Sequence, residues 1–359
     1  MTIATFADLL APITPEEFFR DYYGRKALHI PGAADKFADV MSWERLNRLL
    51  NMTAIWSQES ILLKHDTQTI PPQAYSIATT DRREQPVLQP DPAKVMEFIR
   101  RGASFGLNNI DTLDDGLRTV GDILESALAG KAQANLYCSR KETQAFGVHF
   151  DTHDVFAMHC EGEKEWQLYE TMEDNPINHP AFKKLPMDQR RARAGKVAQR
   201  LVMKPGDLLY VPRGLYHDAL CRTDGCVHIA YGVTTVIGID VLTLLSNRAP
   251  GETLLRQTLP NPSQPGYEEA LKARLNEIGD LLKRMATDSQ SLDFMRRYQG
   301  EIFRNGRGGF DLPIPGAPDK PKMQPQQQRP PAMAMAGGPA VPAQARAAIL
   351  SAVKGTVKR

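Results

Sequence analysis

The sequence predicts a mainly β protein with helical decoration, in which a central sandwich or jelly roll has helices before and after it. Between about residues 133 and 233, short runs rich in β-branched and aromatic residues alternate with Gly and Pro turns. On both sides of this region, apolar residues recur at helical spacing. Many short strands separated by such turns favour a sandwich or jelly roll.

The first hundred residues are predicted to mix short helices with irregular segments. Thr14, Pro15 and Glu17 have the form of a helix start, because threonine caps, proline suits the first helical position and glutamate reaches back to the cap amide. We expect further helices at 42–50 and 92–101. The apolar face predicted for the first helix consists of Phe18, Phe19, Tyr22 and Tyr23.

The middle of the chain is predicted to form strands, with turns at Gly162, at Pro205-Gly206 and at 212–214. A basic cluster at 190–196 is expected in a loop between two of them, as a solvated face or as a contact for an acidic or nucleic-acid partner. The predicted strands are 134–138, 155–160, 165–169, 200–203, 207–211 and 226–233.

The C-terminal part of the chain contains two segments with different sequence patterns. Residues 267–285 show apolar side chains on one helical face, whereas 312–343 contain nine prolines among Gln, Ala and Gly. The second composition buries too little apolar surface to offset chain entropy, so it predicts a disordered tail. The predicted domains are a helical and irregular region at 1–110, a jelly roll at 111–240, a helical region at 241–310, and the tail at 311–359.

Composition and charge exclude several classes of protein. In 359 residues, 44 Lys and Arg stand against 42 Asp and Glu, so a net charge of +2 gives no general attraction to polyanions. We therefore expect no direct binding of nucleic acid. The apolar run at 236–245 is interrupted by Asp240 and is far shorter than the roughly 20 residues of a membrane span. Four cysteines and no secretory pattern at the N-terminus predict a cytoplasmic protein.

The chemistry of the chain is predicted to centre on His149, Asp151 and His217. Residues two apart on a strand point to one face, so His149 and Asp151 can reach a common point. One His and one Asp make up two thirds of the triad that holds non-haem iron. A turn, an apolar strand and a second turn at 204–214 then lead to His217, which is expected to begin the next strand and supply the third ligand.

Lys164 is a candidate anion-binding residue. It follows the turn at 161–163 and shares a strand face with Trp166 and Leu168. A lysine that points into an apolar barrel is costly unless it meets an anion. The alternative is that its amino group reaches water along the barrel wall.

Together these segments resemble the JmjC oxygenases of the ribosomal-oxygenase (Cupin_4) branch. The resemblance runs through 149–156, 161–169 and 204–217, and extends back to 135–137 and to 15–32. It implies a double-stranded β-helix core and an Fe(II)- and 2-oxoglutarate-dependent dioxygenase that uses O2 to hydroxylate a protein or peptide side chain. Such an enzyme would be a ribosomal-protein-type His or Arg hydroxylase or a peptide-modifying enzyme.

The resemblance also implies roles for individual residues. His149, Asp151 and His217 would hold the iron, and Lys164 would pair with the distal carboxylate of 2-oxoglutarate. Asn135 would help to hold this co-substrate, and Tyr137 would line the substrate side. The C-terminal helices would correspond to a region through which relatives form homodimers.

Two other functions remain open from the sequence. One is demethylation of N-methyl-lysine by the same chemistry, and the other is a non-catalytic cupin scaffold that binds a partner. The chain also departs from the family after His228, where it has Ala230 and Gly232 instead of small hydroxyl residues. The identity of the substrate is therefore not carried over.

Overall fold

Two antiparallel sheets face each other at the centre of the molecule. The structure is a computed structural model that describes residues 3–80, 84–140, 144–183 and 185–299. Within these residues, the strands are β1 (Leu28–Ile30), β2 (Ile61–His65), β3 (Gln68–Thr69), β4 (Ser76–Thr80), β5 (Pro86–Pro90), β6 (Ser104–Leu107), β7 (Gly130–Ser139), β8 (Asp154–Glu161), β9 (Lys164–Met172), β10 (Val197–Met203), β11 (Leu208–Val211), β12 (Leu215–Cys221) and β13 (Cys226–Thr235).

The larger sheet has the order β1-β11-β8-β13-β7-β6-β2-β3, and the smaller one has the order β10-β9-β12. Strands β4 and β5 form a separate two-stranded sheet. Because the chain passes between the two main sheets several times, residues far apart in sequence meet between them. This is the jelly-roll arrangement predicted from the sequence, and each of the six predicted strands corresponds to an observed one.

Alternation along the strands gives the larger sheet two different faces. On β13, Val227, Ile229 and Tyr231 are fully buried in an apolar core on the outer side of the sheet. His228 and Ala230, which alternate with them, point to the space between the sheets and line a cavity there. This cavity therefore lies between the two sheets, and helices cover the opposite face of the larger sheet.

Helices precede, interrupt and follow the strands. Side chains of α6 such as Leu117 and Leu124 are buried in the outer core of the larger sheet. The helices of the described residues are α1 (Phe6–Leu10), α2 (Pro15–Glu17), α3 (Trp43–Leu50), α4 (Pro72–Tyr75), α5 (Pro92–Arg100), α6 (Asp115–Leu128), α7 (Pro180–Lys183), α8 (Met187–Ala194), α9 (Gly238–Arg248), α10 (Thr253–Arg256), α11 (Tyr267–Thr287) and α12 (Ser289–Arg297). The helices predicted at 42–50, 92–101 and 267–285 correspond to α3, α5 and α11.

The first predicted helix differs from its expected form. Thr14 caps α2 by accepting a hydrogen bond from the amide of Glu17 at 3.1 Å, as predicted, but a π-helical turn follows directly. The wider turn places Phe18 in the core and leaves Phe19 38% exposed. The rings of Phe18, Phe19 and Tyr23 nevertheless contact one another, so the predicted apolar cluster forms with Phe19 at its exposed edge.

Two further expectations differ from the structure. The basic cluster at 190–196 does not lie in a loop, because residues up to Ala194 belong to α8 and Gly195, with φ of 75°, ends the helix. Arg and Ala are good helix formers, which explains the preference. The N-terminal region also contributes strands β1, β2, β3 and β6 to the larger sheet, in addition to its helices.

The C-terminal helices are joined by a polar contact. Arg248, at the end of α9, donates to both carboxylate oxygens of Asp288 at 3.0 and 2.6 Å, and Asp288 caps α12. Within the described part of the chain, no helix is both long enough and apolar enough to cross a membrane. Residues 300–310 of the predicted helical region and the predicted tail at 311–359 lie outside the described residues.

Candidate metal centre

His149, Asp151 and His217 come together between the two sheets. One potential ligand atom from each residue lies within 4.8 Å of the others, and Nε2 of His217 is 3.5 Å from Oδ2 of Asp151. An isolated antiparallel bridge pairs His149 with His217, and the two imidazole centroids are 4.4 Å apart. The three residues predicted to bind the metal therefore meet at one point.

Backbone carbonyl groups orient both imidazoles. Nδ1 of His149 lies 2.9 Å from the carbonyl oxygen of Gly147, and Nδ1 of His217 lies 2.9 Å from that of Leu215. Because a carbonyl oxygen can only accept, each ring donates from Nδ1. This leaves both Nε2 lone pairs free for a metal, which is the arrangement that outer hydrogen bonds give to metal-binding histidines.

The protonation states of the cluster favour metal binding. Burial, reinforced by the neighbouring His149, lowers the pKa of His217 to about 4, so this imidazole is neutral near pH 7. Burial acts to raise the pKa of Asp151, but His149, His217 and His153 outweigh it and lower this pKa below its usual value. A neutral histidine and an ionised aspartate are the forms that ligate metals.

The local structure of the ligands differs from the prediction in two details. His149 and Asp151 do not lie on a regular strand, because β8 begins only at Asp154 and His149 makes just the isolated bridge. His217 is the third residue of β12 and does not begin it. The backbone bridge between His149 and His217 therefore positions these side chains, where strand alternation was expected to do so.

Lys164 lies at the start of β9 and is only 5% exposed. It faces the cavity, and its ammonium nitrogen is 3.3 Å from the hydroxyl oxygen of Ser139. Among the described residues, no carboxylate lies within 4.0 Å of it. An enclosed ammonium with this single neutral partner leaves donors available for an anion.

Asn135 and Tyr137 alternate with core residues on β7 and line the same cavity. Oδ1 of Asn135 accepts a hydrogen bond from the amide of Asn109 at 3.1 Å. Burial is the main cause, and the charge of the nearby Asp151 the second, that raise the pKa of Tyr137 to about 12. Tyr137 is therefore a neutral hydrogen-bonding group beside the cluster.

The cavity has a volume of about 210 Å³ and includes residues that the sequence analysis did not single out as site residues. His228 lies on β13 next to Tyr137, and Trp166 stacks on His217 with ring centroids 5.6 Å apart. Lys64 and His153 also line the cavity, as do Ala230 and Gly232. Only the alternation of β9 and β13 in the sequence could have indicated Trp166 and His228.

The donor set fits a divalent iron. Two imidazoles and one carboxylate on one side of a point match the triad of non-haem iron enzymes, which leaves the other coordination positions open. Both histidines already present Nε2 toward this point. The open side of the cluster faces the cavity that also contains Lys164.

One known protein family matches the part of the chain that contains this site. The JmjC domain family matches residues 107–239, which include β7 to β13 and all three potential ligands. Residues 107–239 of this chain thus resemble a JmjC domain. The matched region supplies the whole smaller sheet and the centre of the larger one, and the predicted jelly-roll core is confirmed.

Several curated proteins are similar to the chain. The bifunctional lysine-specific demethylase and histidyl-hydroxylase NO66 of Drosophila willistoni is 27% identical over 63% of this chain and 28% of its own length. Ribosomal oxygenase 1 of Danio rerio is 27% identical over 81% of this chain and 49% of its own length. The chain thus spans half or less of the length of these two relatives.

One similar protein matches over nearly its whole length. The uncharacterized protein YxbC of Bacillus subtilis (strain 168) is 22% identical over 87% of this chain and 94% of its own length. Among solved structures, YcfD, a ribosomal oxygenase from Escherichia coli in complex with cobalt and 2-oxoglutarate, superposes with a TM-score of 0.53. It covers 86% of this chain and 76% of that chain at 14% identity. This likeness is one of fold.

Proposed function

We propose that the protein is an Fe(II)- and 2-oxoglutarate-dependent dioxygenase that hydroxylates a protein or peptide side chain. One observation carries the proposal. The cavity that receives the free Nε2 atoms of His149 and His217 also contains the enclosed ammonium of Lys164. An open metal site and a cationic anchor in one cavity suit a keto acid that chelates at one end and carries a carboxylate at the other.

Each site residue has a role that its position supports. Iron and 2-oxoglutarate, when bound, supply the activation of O2. His149, Asp151 and His217 hold the metal, and Lys164 pairs with the distal carboxylate of 2-oxoglutarate. Asn135 helps to hold 2-oxoglutarate, and Tyr137 lines the side on which the target residue enters. The stacked Trp166 and the aromatic walls exclude water from the reacting centre.

Lys64 favours hydroxylation over demethylation of N-methyl-lysine. Its ammonium lies 4.0 Å from the centroid of the Phe146 ring at the cavity wall, and burial followed by the nearby Arg190 lowers its pKa. Among the described residues no carboxylate lies within 4.0 Å of this ammonium. A cationic target side chain would meet a like charge here, so an uncharged side chain suits the cavity better.

Mass spectrometry tests the proposed activity and its alternatives. Proteomes of cells that contain the wild-type protein or the Asp151→Ala variant are searched for a peptide that differs by the mass of one oxygen atom, and succinate formation is measured with and without Fe(II). A gained oxygen with iron-dependent succinate supports hydroxylation. Loss of a methylene group with release of formaldehyde would identify a demethylase, and no consumption of 2-oxoglutarate would identify a scaffold.

We further propose that the protein forms a homodimer through the helical region at 241–310. On α9, Leu242 is 64% exposed and Ile239 is 50% exposed one turn earlier. Leu275 on α11 is 53% exposed. Exposed apolar residues on neighbouring helices are typical of a contact between protein chains.

A cytoplasmic location is the last part of this proposal. All four cysteines, Cys138, Cys160, Cys221 and Cys226, are buried and free. Free thiols are typical of a reducing compartment. Ferrous iron is also easier to retain there.

A further inference from the structure

His228 stands in the middle of a row of three rings. Tyr137, His228 and His159 are direct neighbours across β7, β13 and β8. The ring of His228 stacks on Tyr137 with centroids 5.2 Å apart, and on His159 with centroids 6.4 Å apart. Cross-strand stacking therefore fixes the plane of the His228 imidazole.

The hydrogen-bonding capacity of His228 is unused. The residue is 4% exposed and lines the cavity, yet neither ring nitrogen bonds a described residue. Nδ1 is completely enclosed and without a partner, so Nε2 is the nitrogen on the cavity side. A buried N–H group without a partner is rare in proteins, which places the single proton of the neutral ring on Nε2.

The surroundings of His228 keep it neutral and attract an anion. Burial, followed by the charge of Lys164 and by His159, lowers the pKa of His228 well below its usual value. Lys164 offers unused N–H groups to the same cavity, and the Ser139 hydroxyl that accepts one of them can itself donate. This end of the cavity thus presents donors from three side chains.

We propose that His228 is a second anchor for the distal carboxylate of 2-oxoglutarate, to which it donates a hydrogen bond from Nε2. This inference rests on the proposed function. Lys164 supplies the charge, while the stacked imidazole supplies a donor whose direction cannot change. A carboxylate has enough lone pairs to accept from Lys164, His228 and Ser139 together.

This arrangement makes His228 a determinant of co-substrate selectivity. A keto acid without the second carboxylate leaves the donors of Lys164 and His228 unpaired in an enclosed space, which is unfavourable. His228 should therefore contribute to the affinity for 2-oxoglutarate and not to that for 2-oxopentanoate, which has the same length and ends in a methyl group. It is a positioning residue that acts on the end of the co-substrate remote from the metal.

The test measures binding of both keto acids to the Mn(II)-loaded protein by titration calorimetry. In His228→Phe the ring and its stacking remain, while both nitrogens are lost. We expect the affinity for 2-oxoglutarate to fall about 10- to 100-fold, as for a lost hydrogen bond to a charged group, with little change for 2-oxopentanoate. In His228→Gln the amide nitrogen can replace Nε2, and part of the preference should return.

His65→Phe provides the matched control, because it removes an exposed imidazole that pairs with Asp66 and does not line the cavity. Its ratio of the two affinities should equal that of the wild type. A His228→Phe variant that keeps the wild-type ratio of affinities, with Mn(II) binding intact, would overturn the role of His228 but not the proposed function. If the wild-type protein does not prefer 2-oxoglutarate over 2-oxopentanoate, the proposed function itself fails.

Discussion

Gly232 leaves room for the imidazole of His153 at the cavity wall. A Cβ atom added to Gly232 would lie 2.4 Å from both Cδ2 and Nε2 of the His153 ring. Contacts this short do not occur between real side chains, so the ring keeps its place only because residue 232 has no side chain. This chain has Gly232 where the family it resembles has a small hydroxyl residue. The missing side chain is what makes room for His153 in the cavity.

Gly232→Ala should therefore destabilise the protein through His153. We expect the free energy of unfolding to fall by about 1 kcal/mol, at the lower end of the cost of overpacking, because both residues are only partly buried and the ring can rotate. In a His153→Ala background, the same substitution should cost markedly less, because the clashing ring is absent. Urea unfolding of the two single variants and the double variant measures this coupling. Strictly additive costs would show that the two residues do not interact.

The metal cluster gives the second prediction. His149→Ala removes one of three ligands and should weaken binding of Co(II) by at least about a hundredfold, since even the partners of metal ligands are worth 10–100-fold. Titration calorimetry measures the affinity, and formation of succinate should be lost in parallel. His65→Ala is the control, because His65 is exposed and pairs with Asp66 outside the cavity. Retention of Co(II) affinity by His149→Ala would remove this residue from the metal site.

Lys164→Ala should weaken binding of the co-substrate without weakening binding of the metal. The variant keeps His149, Asp151 and His217, so we expect Co(II) binding to remain normal. The concentration of 2-oxoglutarate needed for half-maximal turnover should rise at least about tenfold, because a charged hydrogen bond is lost in an enclosed site. Lys204→Ala is the matched control, since Lys204 is exposed and outside the cavity. An unchanged requirement would mean that Lys164 does not meet the distal carboxylate.

The sequence could predict the residues of this site whose role follows from their chemical type. His149, Asp151, His217 and Lys164 were identifiable because few residue types can bind a metal or an anion in an apolar barrel. The position of His228 depends on the register of three strands, in which Tyr137↔His228↔His159 become neighbours. The hydrophobic pattern of one strand determines which of its side chains share a face. It does not determine which residue of a distant strand lies opposite each of them.

The same limit explains what was missed in the fold. Strands with many β-branched residues between Gly and Pro turns were predicted. The structure lengthens five of the six by two or more residues and shortens the strand predicted at 207–211 by one. Strands β2 and β6 lie in segments of ordinary composition and exist because each pairs with a neighbour in the larger sheet. The π-helical turn at Phe18–Tyr22 was also missed, because local apolar spacing does not distinguish it from an α-helical turn.

His159 should make the stability of the protein sensitive to acid. Nε2 donates to the carbonyl oxygen of Gly162 at 2.9 Å, and Nδ1 is buried without a partner. Burial is the main cause that lowers the pKa of His159 from 6.5 to about 4. Between these values the unfolded state binds the proton and the folded state does not, so stability falls as the pH falls from about 6.5 to about 4.

Substitution of His159 measures this contribution. His159→Gln retains a donor for Gly162 but cannot titrate. We expect the free energy of unfolding of the metal-free variant to depend less on pH within this window, by up to about 1.4 kcal/mol per pH unit and about 3 kcal/mol in total. Urea unfolding at several pH values provides the comparison. Parallel curves for the two proteins would show that His159 already binds a proton in the folded state.

The exposed apolar residues of α9 give the last prediction. If Leu242 packs against a second copy of the chain, Leu242→Glu places a carboxylate in an apolar contact, where it has no partner and loses its hydration. Sedimentation velocity should then show a monomer at concentrations at which the wild-type protein is a dimer. Ile77→Glu is the control, because Ile77 is 45% exposed on β4, in a separate sheet from the C-terminal helices. A dimer that persists in Leu242→Glu but dissociates in Ile77→Glu would place the contact on the N-terminal region, and a monomeric wild-type protein would exclude the homodimer.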